Sequence, residues 1–309
     1  MIKLVDASSW RGYRGVSALD WEPVEEDCYP TDDTAASTLT TPDFKSLEQR
    51  GTVSRADEYP WDEGRQTDSK PLVLIDFDGV LNAFPDEKLL RRGGQAGGWL
   101  DQMAADDPRK QLYSLDHAFL LDKSERVTIC QSNEYGGSEK TTVRIRWASK
   151  LADSIRKLQA DCEADVAWLS TWQPFTRKLE FELGLIGLDA TEPLLSTILW
   201  YDPVTGLNRG MGKLHSVAAI LQELQAAGQQ RPVVWIDDEE ADEPAEKWLR
   251  SHGLGEVTPL LMVQPDDRIG VNRGQWKHIT EFISGRSGET EPGIYSDRTP
   301  RLHEGHFGW

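Results

Sequence analysis

Cysteine is scarce in this chain. Three occur in 309 residues, Cys28, Cys130 and Cys162. They are too few and too scattered for a disulfide framework or a thiolate metal site. The six histidines, His117, His215, His252, His278, His303 and His306, show no metal-ligand spacing either. Long apolar runs are also missing. Runs such as Leu72–Ile75 are far too short to span a bilayer. The N-terminal MIKLVDASSW lacks the apolar stretch of a signal peptide. Positive charge is in deficit, with 34 Lys and Arg against 52 Asp and Glu, a net of −18. That excludes a dedicated duplex-coating protein, because affinity for phosphate backbones comes from Lys and Arg. It leaves room for a local basic groove. These absences describe a reduced, cytoplasmic, soluble protein, with no membrane partner and no stable duplex DNA binding.

Apolar residues make up 38% of the chain and 12 are Trp, enough for a sizeable core in one large domain or two ordinary ones. Residues 1–70 differ from the rest. They hold 8 Lys and Arg against 15 Asp and Glu, so their net charge is 8 − 15 = −7. No helical or strand period persists there, and Thr31–Pro42 is rich in Ser, Thr and Pro. This segment reads as an acidic, partly flexible extension. Its aromatics, Trp10, Tyr13, Trp21, Tyr59 and Trp61, either pack on the main domain or bind a partner.

From Pro71 strands and helices alternate. Continuously apolar strands are expected at Pro71–Asp76, Ala164–Leu169, Pro232–Ile236 and Pro259–Val263. Helices are expected at Trp147–Asp161, Thr176–Leu183, Lys213–Ala227 and Glu243–His252. Such alternation implies βαβ units and an α/β fold with a doubly wound, Rossmann-like parallel sheet over residues 71–286. Ligands in such sheets sit beyond the carboxyl ends of the strands, and acids fall at two of these ends. A long insertion at about 84–146 follows the first strand. It carries the glycine-rich RRGGQAGG (Arg91–Gly98) and two strand-like runs, Arg126–Gln131 and Thr141–Trp147, that read as a β-hairpin flap. Residues 287–309 are polar and read as a tail.

Three strand ends and one helix start bear on chemistry. Asp76-Phe77-Asp78-Gly79 follows the first strand, and two carboxylates at i and i+2 converge if the chain turns at Gly79. One can bind a cation and attack an electrophile while the other works as acid and base. Ser170 and Thr171 close the second strand; either can donate to a phosphoryl oxygen, or Ser170 merely caps the next helix. Lys213 opens a helix, and Lys178 in the preceding helix competes with it. Asp237 and Asp238 end the third strand, where adjacent acids need a cation or hydrogen-bond donors.

Taken together, IDFDGVLNAF (Ile75–Phe84), VAWLSTW (Val166–Trp172), GKLHSV (Gly212–Val217), VVWIDDE (Val233–Glu239) and PLLMVQPDDRIGV (Pro259–Val271) resemble the motifs of the haloacid dehalogenase (HAD) superfamily of phosphohydrolases. The match is most similar to the HAD domain of Swiss-army-knife RNA repair proteins. The resemblance implies a Mg2+-dependent phosphatase. In it Asp76 is the nucleophile, Asp78 the general acid and base, Ser170 the phosphoryl-binding hydroxyl and Lys213 the charge-neutralising cation. Asp237 and Asp238 complete a metal site with Asp76 and the main-chain carbonyl of Asp78. Which of the adjacent pair touches the metal stays open.

The insertion is the place for specificity. Arg91 and Arg92, among glycines, could close over a phosphorylated substrate. Arg144 and Arg146 alternate with apolar residues and share one face, which is either a solvated edge or a grip for anionic substrate. The expected substrate is a nucleotide or other small phosphate ester. The alternative is a polynucleotide end, such as a 3′-phosphate. A further alternative is a non-catalytic binding protein that works through the acidic extension.

Overall fold

The computed structural model of the chain describes residues 3–5, 70–132, 138–187, 189–202, 209–286, 288–289 and 291–299. The reading of residues 1–70 as a flexible extension falls, apart from residues 3–5, outside the described residues.

The first continuously apolar strand expected from the sequence is β2 (Leu72–Ile75), and all four of its side chains are buried. It is the centre of a seven-stranded sheet. On one side lie β5 (Asp165–Trp168) and β6 (Ser196–Leu199); on the other lie β7 (Val233–Ile236), β8 (Leu260–Gln264) and β9 (Ile294–Arg298). These six strands are parallel. The short β1 (Lys3–Val5) adds an antiparallel edge against β6.

The strand pattern explains the two-sided core. Val73, Ile75, Val166, Trp168, Val234 and Ile236 face one apolar cluster. Their neighbours Leu72, Leu74, Ala167, Val233 and Trp235 face another. A continuous apolar strand is what burial on both faces requires. The first cluster is covered by α3 (Ser149–Ala160), α4 (Thr176–Glu182) and α7 (Arg273–Ile283); the second by α5 (Leu214–Ala226) and α6 (Glu243–Ser251). The expected doubly wound arrangement is thus present. No helix among the described residues is long and apolar enough to cross a membrane.

Between β2 and α3 the insertion divides in two. The first half holds α1 (Glu87–Arg91), a 3-10 turn at Leu100–Gln102 and α2 (Pro108–Leu112), built round a small core of Leu89, Leu100, Leu112 and Tyr113. The glycine-rich run has a structural task here. Its buried Gln95 donates to the carbonyls of Tyr113 and Phe119 at 3.2 and 3.1 Å and accepts from the Leu121 amide at 2.9 Å. The second half is the expected hairpin, β3 (Lys123–Ser132) and β4 (Ser138–Trp147), paired antiparallel as its own two-stranded sheet. Val127, Ile145 and Trp147 turn one hairpin face into the domain core.

One expectation is corrected. The polar segment from residue 287 is not all tail, because β9 lies within it, parallel to β8. Its composition hid it: only Ile294 is fully buried, as suits an edge strand. Its polar residues are held individually. Asp297 accepts from His278 at 2.8 Å, and the Thr299 amide donates to the Gln264 carbonyl at 2.9 Å. Residues 300–309 lie outside the described residues.

Candidate active site

The central strand and its two neighbours end together. Beyond Ile75 the ladder runs one residue further on each side, with the Asp76 amide donating to Ile236 O (3.0 Å) and the Leu169 amide to Ile75 O (2.9 Å). Asp76 therefore emerges between Ser170 and the Asp237–Asp238 pair. The chain then turns tightly, with the Asn82 amide on Phe77 O at 2.8 Å and the Gly79 amide on Asn82 O at 2.9 Å. Gly79 is needed here: its φ is +66°, and a Cβ would lie 2.1 Å from the Asp238 carboxyl carbon. The same glycine thus permits the turn and the approach of the acids.

Lys213 joins this edge from the start of α5. Its Nζ donates to Asp76 Oδ2 at 2.5 Å and to Asp237 Oδ2 at 2.7 Å. The other residue considered, Lys178, instead donates to the Thr128 carbonyl of β3 at 2.8 Å. Lys213 is itself fixed by Glu240, whose carboxylate accepts the Lys213 and Leu214 amides at 2.7 and 3.2 Å. Asp237 Oδ1 accepts the amides of Glu239 and Glu240 at 3.0 and 2.7 Å. Both oxygens of Asp237 are engaged.

Asp76, Asp237 and Asp238 are buried and offer carboxylate oxygens within 4.8 Å of one another. Their electrostatics are unbalanced, since three acids meet one ammonium. Burial, then Asp237, pushes Asp76 up to about 7 against the pull of Lys213 and of the Ser170 hydroxyl. Burial, then Asp237 and Asp76, pushes Asp238 up to about 8. Lys213 is raised well above its ordinary value, because its two carboxylates outweigh its own desolvation. A trio of buried oxygen donors carrying excess negative charge suits a hard divalent cation.

Ser170 is fully buried at the end of β5, and its Oγ accepts the Trp172 amide at 3.2 Å. The Thr171 carbonyl accepts the Tyr201 hydroxyl at 2.8 Å. Asp78 is half-buried. The structure adds two residues that sequence reasoning missed. The Trp172 indole donates to Asp78 Oδ2 and the Asn82 amide to Asp78 Oδ1, each at 2.7 Å. The Trp172 contact spans 94 positions, so no local spacing could announce it.

The four arginines separate into two groups. Arg91 and Arg92 are exposed at the end of α1, and Arg91 is paired with Glu87 at 2.6 Å. The structure does not bring these two into the acidic cluster. Arg144 and Arg146 do share a hairpin face, and Arg126, directly across from Arg144, joins them. Arg126 and Arg144 are exposed, while Arg146 is half-buried beside them. None of the three is in an ion pair among the described residues. Arg146 lies nearest the cluster: its carbonyl accepts the Ala83 amide and its amide donates to Asn82 Oδ1, both at 2.8 Å.

The chain matches no family model, no curated protein and no solved structure.

Proposed function

We propose that this protein is a Mg2+-dependent phosphomonoester hydrolase that works through an aspartyl-phosphate on Asp76, with a nucleotide or other small phosphate ester as substrate. The observation that carries the reading is the bridge of Lys213 between Asp76 and Asp237, with Asp238 alongside, at the carboxyl ends of adjacent parallel strands. Phosphoryl transfer asks for little beyond positioning and neutralisation of spread negative charge.

In this reading an Asp76 oxygen attacks phosphorus and the ester P–O bond breaks. Asp78 gives a proton to the departing alcohol oxygen. It then takes a proton from the water that attacks the aspartyl-phosphate, which frees inorganic phosphate and restores Asp76. Lys213 holds the Asp76 carboxylate and offsets charge on the phosphoryl oxygens, and Ser170 donates to one of them. Asp76, Asp238 and the Asp78 main-chain carbonyl would hold Mg2+, which when bound supplies further charge neutralisation. Asp237, with both oxygens engaged by Lys213 and two amides, serves this group from behind. That distribution favours Asp238 as the direct ligand.

A second reading, a polynucleotide end phosphatase, draws on the hairpin. Arg126, Arg144 and Arg146 form a cationic face on a chain of net charge −18. Like charges directly opposed across strands are unfavourable unless something compensates them. Residues i and i+2 on a strand lie roughly 6.6–6.8 Å apart, a spacing compatible with successive phosphates on an extended strand.

The test is to quench the protein in acid during turnover of an aryl phosphate with Mg2+ and measure intact mass. One added phosphoryl group, mapped to the Asp76 peptide and absent in Asp76→Asn, supports the reading. Steady turnover with no acid-stable adduct, undiminished in Asp76→Asn, refutes it.

A further inference from the structure

Asp78 is held by two side-chain N–H donors, one of them anchored to the β3–β4 hairpin. The Trp172 indole N–H reaches Oδ2 and the Asn82 side-chain N–H reaches Oδ1, both at 2.7 Å. Both lie at the short end of the N–H···O range. Each donor is committed. An indole N–H can only donate. The Asn82 amide cannot flip without loss, because its Oδ1 already accepts the Arg146 amide of β4 at 2.8 Å. Trp172 is itself immobilised. It is almost fully buried and meets Phe77 and Phe175 edge to face, with ring centres 5.3 and 6.3 Å apart. Phe77 is the residue between the two acids, so the ring that aims the donor packs on the loop it aims at.

We infer that Trp172 and Asn82 are positioning residues that fix the Asp78 carboxyl for proton transfer to the leaving oxygen, and that Asn82 links this orientation to the base of the β3–β4 hairpin. The inference rests on the phosphohydrolase reading. A carboxyl group pinned at both oxygens has its two torsions set before substrate arrives, which removes an ordering cost from the reacting complex. Both donors leave further lone pairs on the oxygens for the transferred proton. The bond that forms is Asp78 O–H to ester oxygen as the ester P–O bond breaks, so the benefit scales with how much the leaving group needs a proton.

That dependence separates positioning from a merely structural role. The experiment compares Trp172→Phe, which keeps a packed ring and removes the N–H, with wild type in Mg2+. Two substrates are used, an alkyl phosphate and a nitrophenyl phosphate, and kcat/KM is read for each. Asp78 gains charge as its proton leaves in the transition state, so loss of one hydrogen bond to it predicts a drop of about tenfold or more on the alkyl ester. The nitrophenyl ester, whose leaving group departs without help, should fall by less than about threefold. Asn82→Ala should give the same split, and serves if Trp172→Phe melts far below wild type. Equal losses on both substrates for both variants would overturn the positioning role and leave the phosphohydrolase reading intact. A wild type that releases phosphate from neither ester would overturn both.

Discussion

Asp238→Asn should act in opposite directions with and without Mg2+. The side chain is 7% exposed and sits among Asp76, Asp237 and Lys213. Burial, Asp237 and Asp76 raise its folded-state value from 3.8 to about 8. The sign follows from linkage. A carboxyl whose folded value exceeds its unfolded value penalises the fold above the unfolded value, and the penalty grows until pH passes the folded one. The affected window is therefore about pH 4 to 8. At pH 7.5 the gap of 7.5 − 3.8 = 3.7 units corresponds to about 5 kcal/mol as a ceiling. Asp76 carries part of the same repulsion, so we assign roughly half, about 2–3 kcal/mol, to Asp238. An isosteric amide keeps the packing against Gly79 and removes the charge. Metal-free Asp238→Asn should thus melt about 5–10 °C above metal-free wild type at pH 7.5, with the gap closing toward pH 4. In Mg2+ the order should reverse, because wild type gains RT ln(1 + [Mg2+]/Kd) and the variant loses a ligand. The assay is thermal melting in chelator and in Mg2+ across that pH range. A metal-free variant that melts below wild type at pH 7.5 would refute the account of the site as an electrostatically strained cation cradle.

Further outcomes follow from the same geometry. Lys213→Met strips the bridging ammonium from two buried carboxylates and should cost about 3–5 kcal/mol in denaturant unfolding, partly restored by Mg2+. Gly79→Ala drives a Cβ to 2.1 Å from the Asp238 carboxyl carbon, so calorimetric Mg2+ binding should be lost or weakened more than tenfold. His278 loses some protonation to desolvation, but its bonds to Glu289 and Asp297 outweigh this and raise its value. Its stabilisation of β9 should be complete below about pH 6.5 and fade as pH climbs through the raised value, read as faster amide exchange in residues 294–298. Paired Arg126→Ala and Arg144→Ala should leave a small ester within twofold, and should weaken turnover of a 3′-phosphorylated oligonucleotide about tenfold at low salt if the second reading holds.

The buried strands were legible because continuous apolar runs such as LVLI and VVWI have one common use, a sheet covered on both faces. Helices α3 to α6 match their expected spans within two residues, since their apolar spacing is regular. Among the elements that were not read are β6, β9 and α7. β6 is four residues with two fully buried, and β9 is an edge strand of mostly polar residues. α7 did carry a local signal, the capping box of Asn272 and Gln275, that a search for helix starts would find. At the site, the motif positions fixed which side chains reach one sheet edge, because each follows directly on a strand or opens a helix. The partners that orient them were hidden: Trp172 and Asn82 carry no local sign of that task until the fold sets them on Asp78. Register, not spacing, added Arg126 to the arginine face.

Phosphate release from a small panel tests the central claim most directly. An aryl phosphate, mononucleotides and a 3′-phosphorylated oligonucleotide would be assayed with Mg2+ and with chelator, for wild type and Asp76→Asn. The account predicts Mg2+-dependent release that Asp76→Asn abolishes, with the preferred substrate separating the small-ester reading from the polynucleotide one. Release that persists in Asp76→Asn, or none from any substrate by a folded protein shown to bind Mg2+, would contradict it.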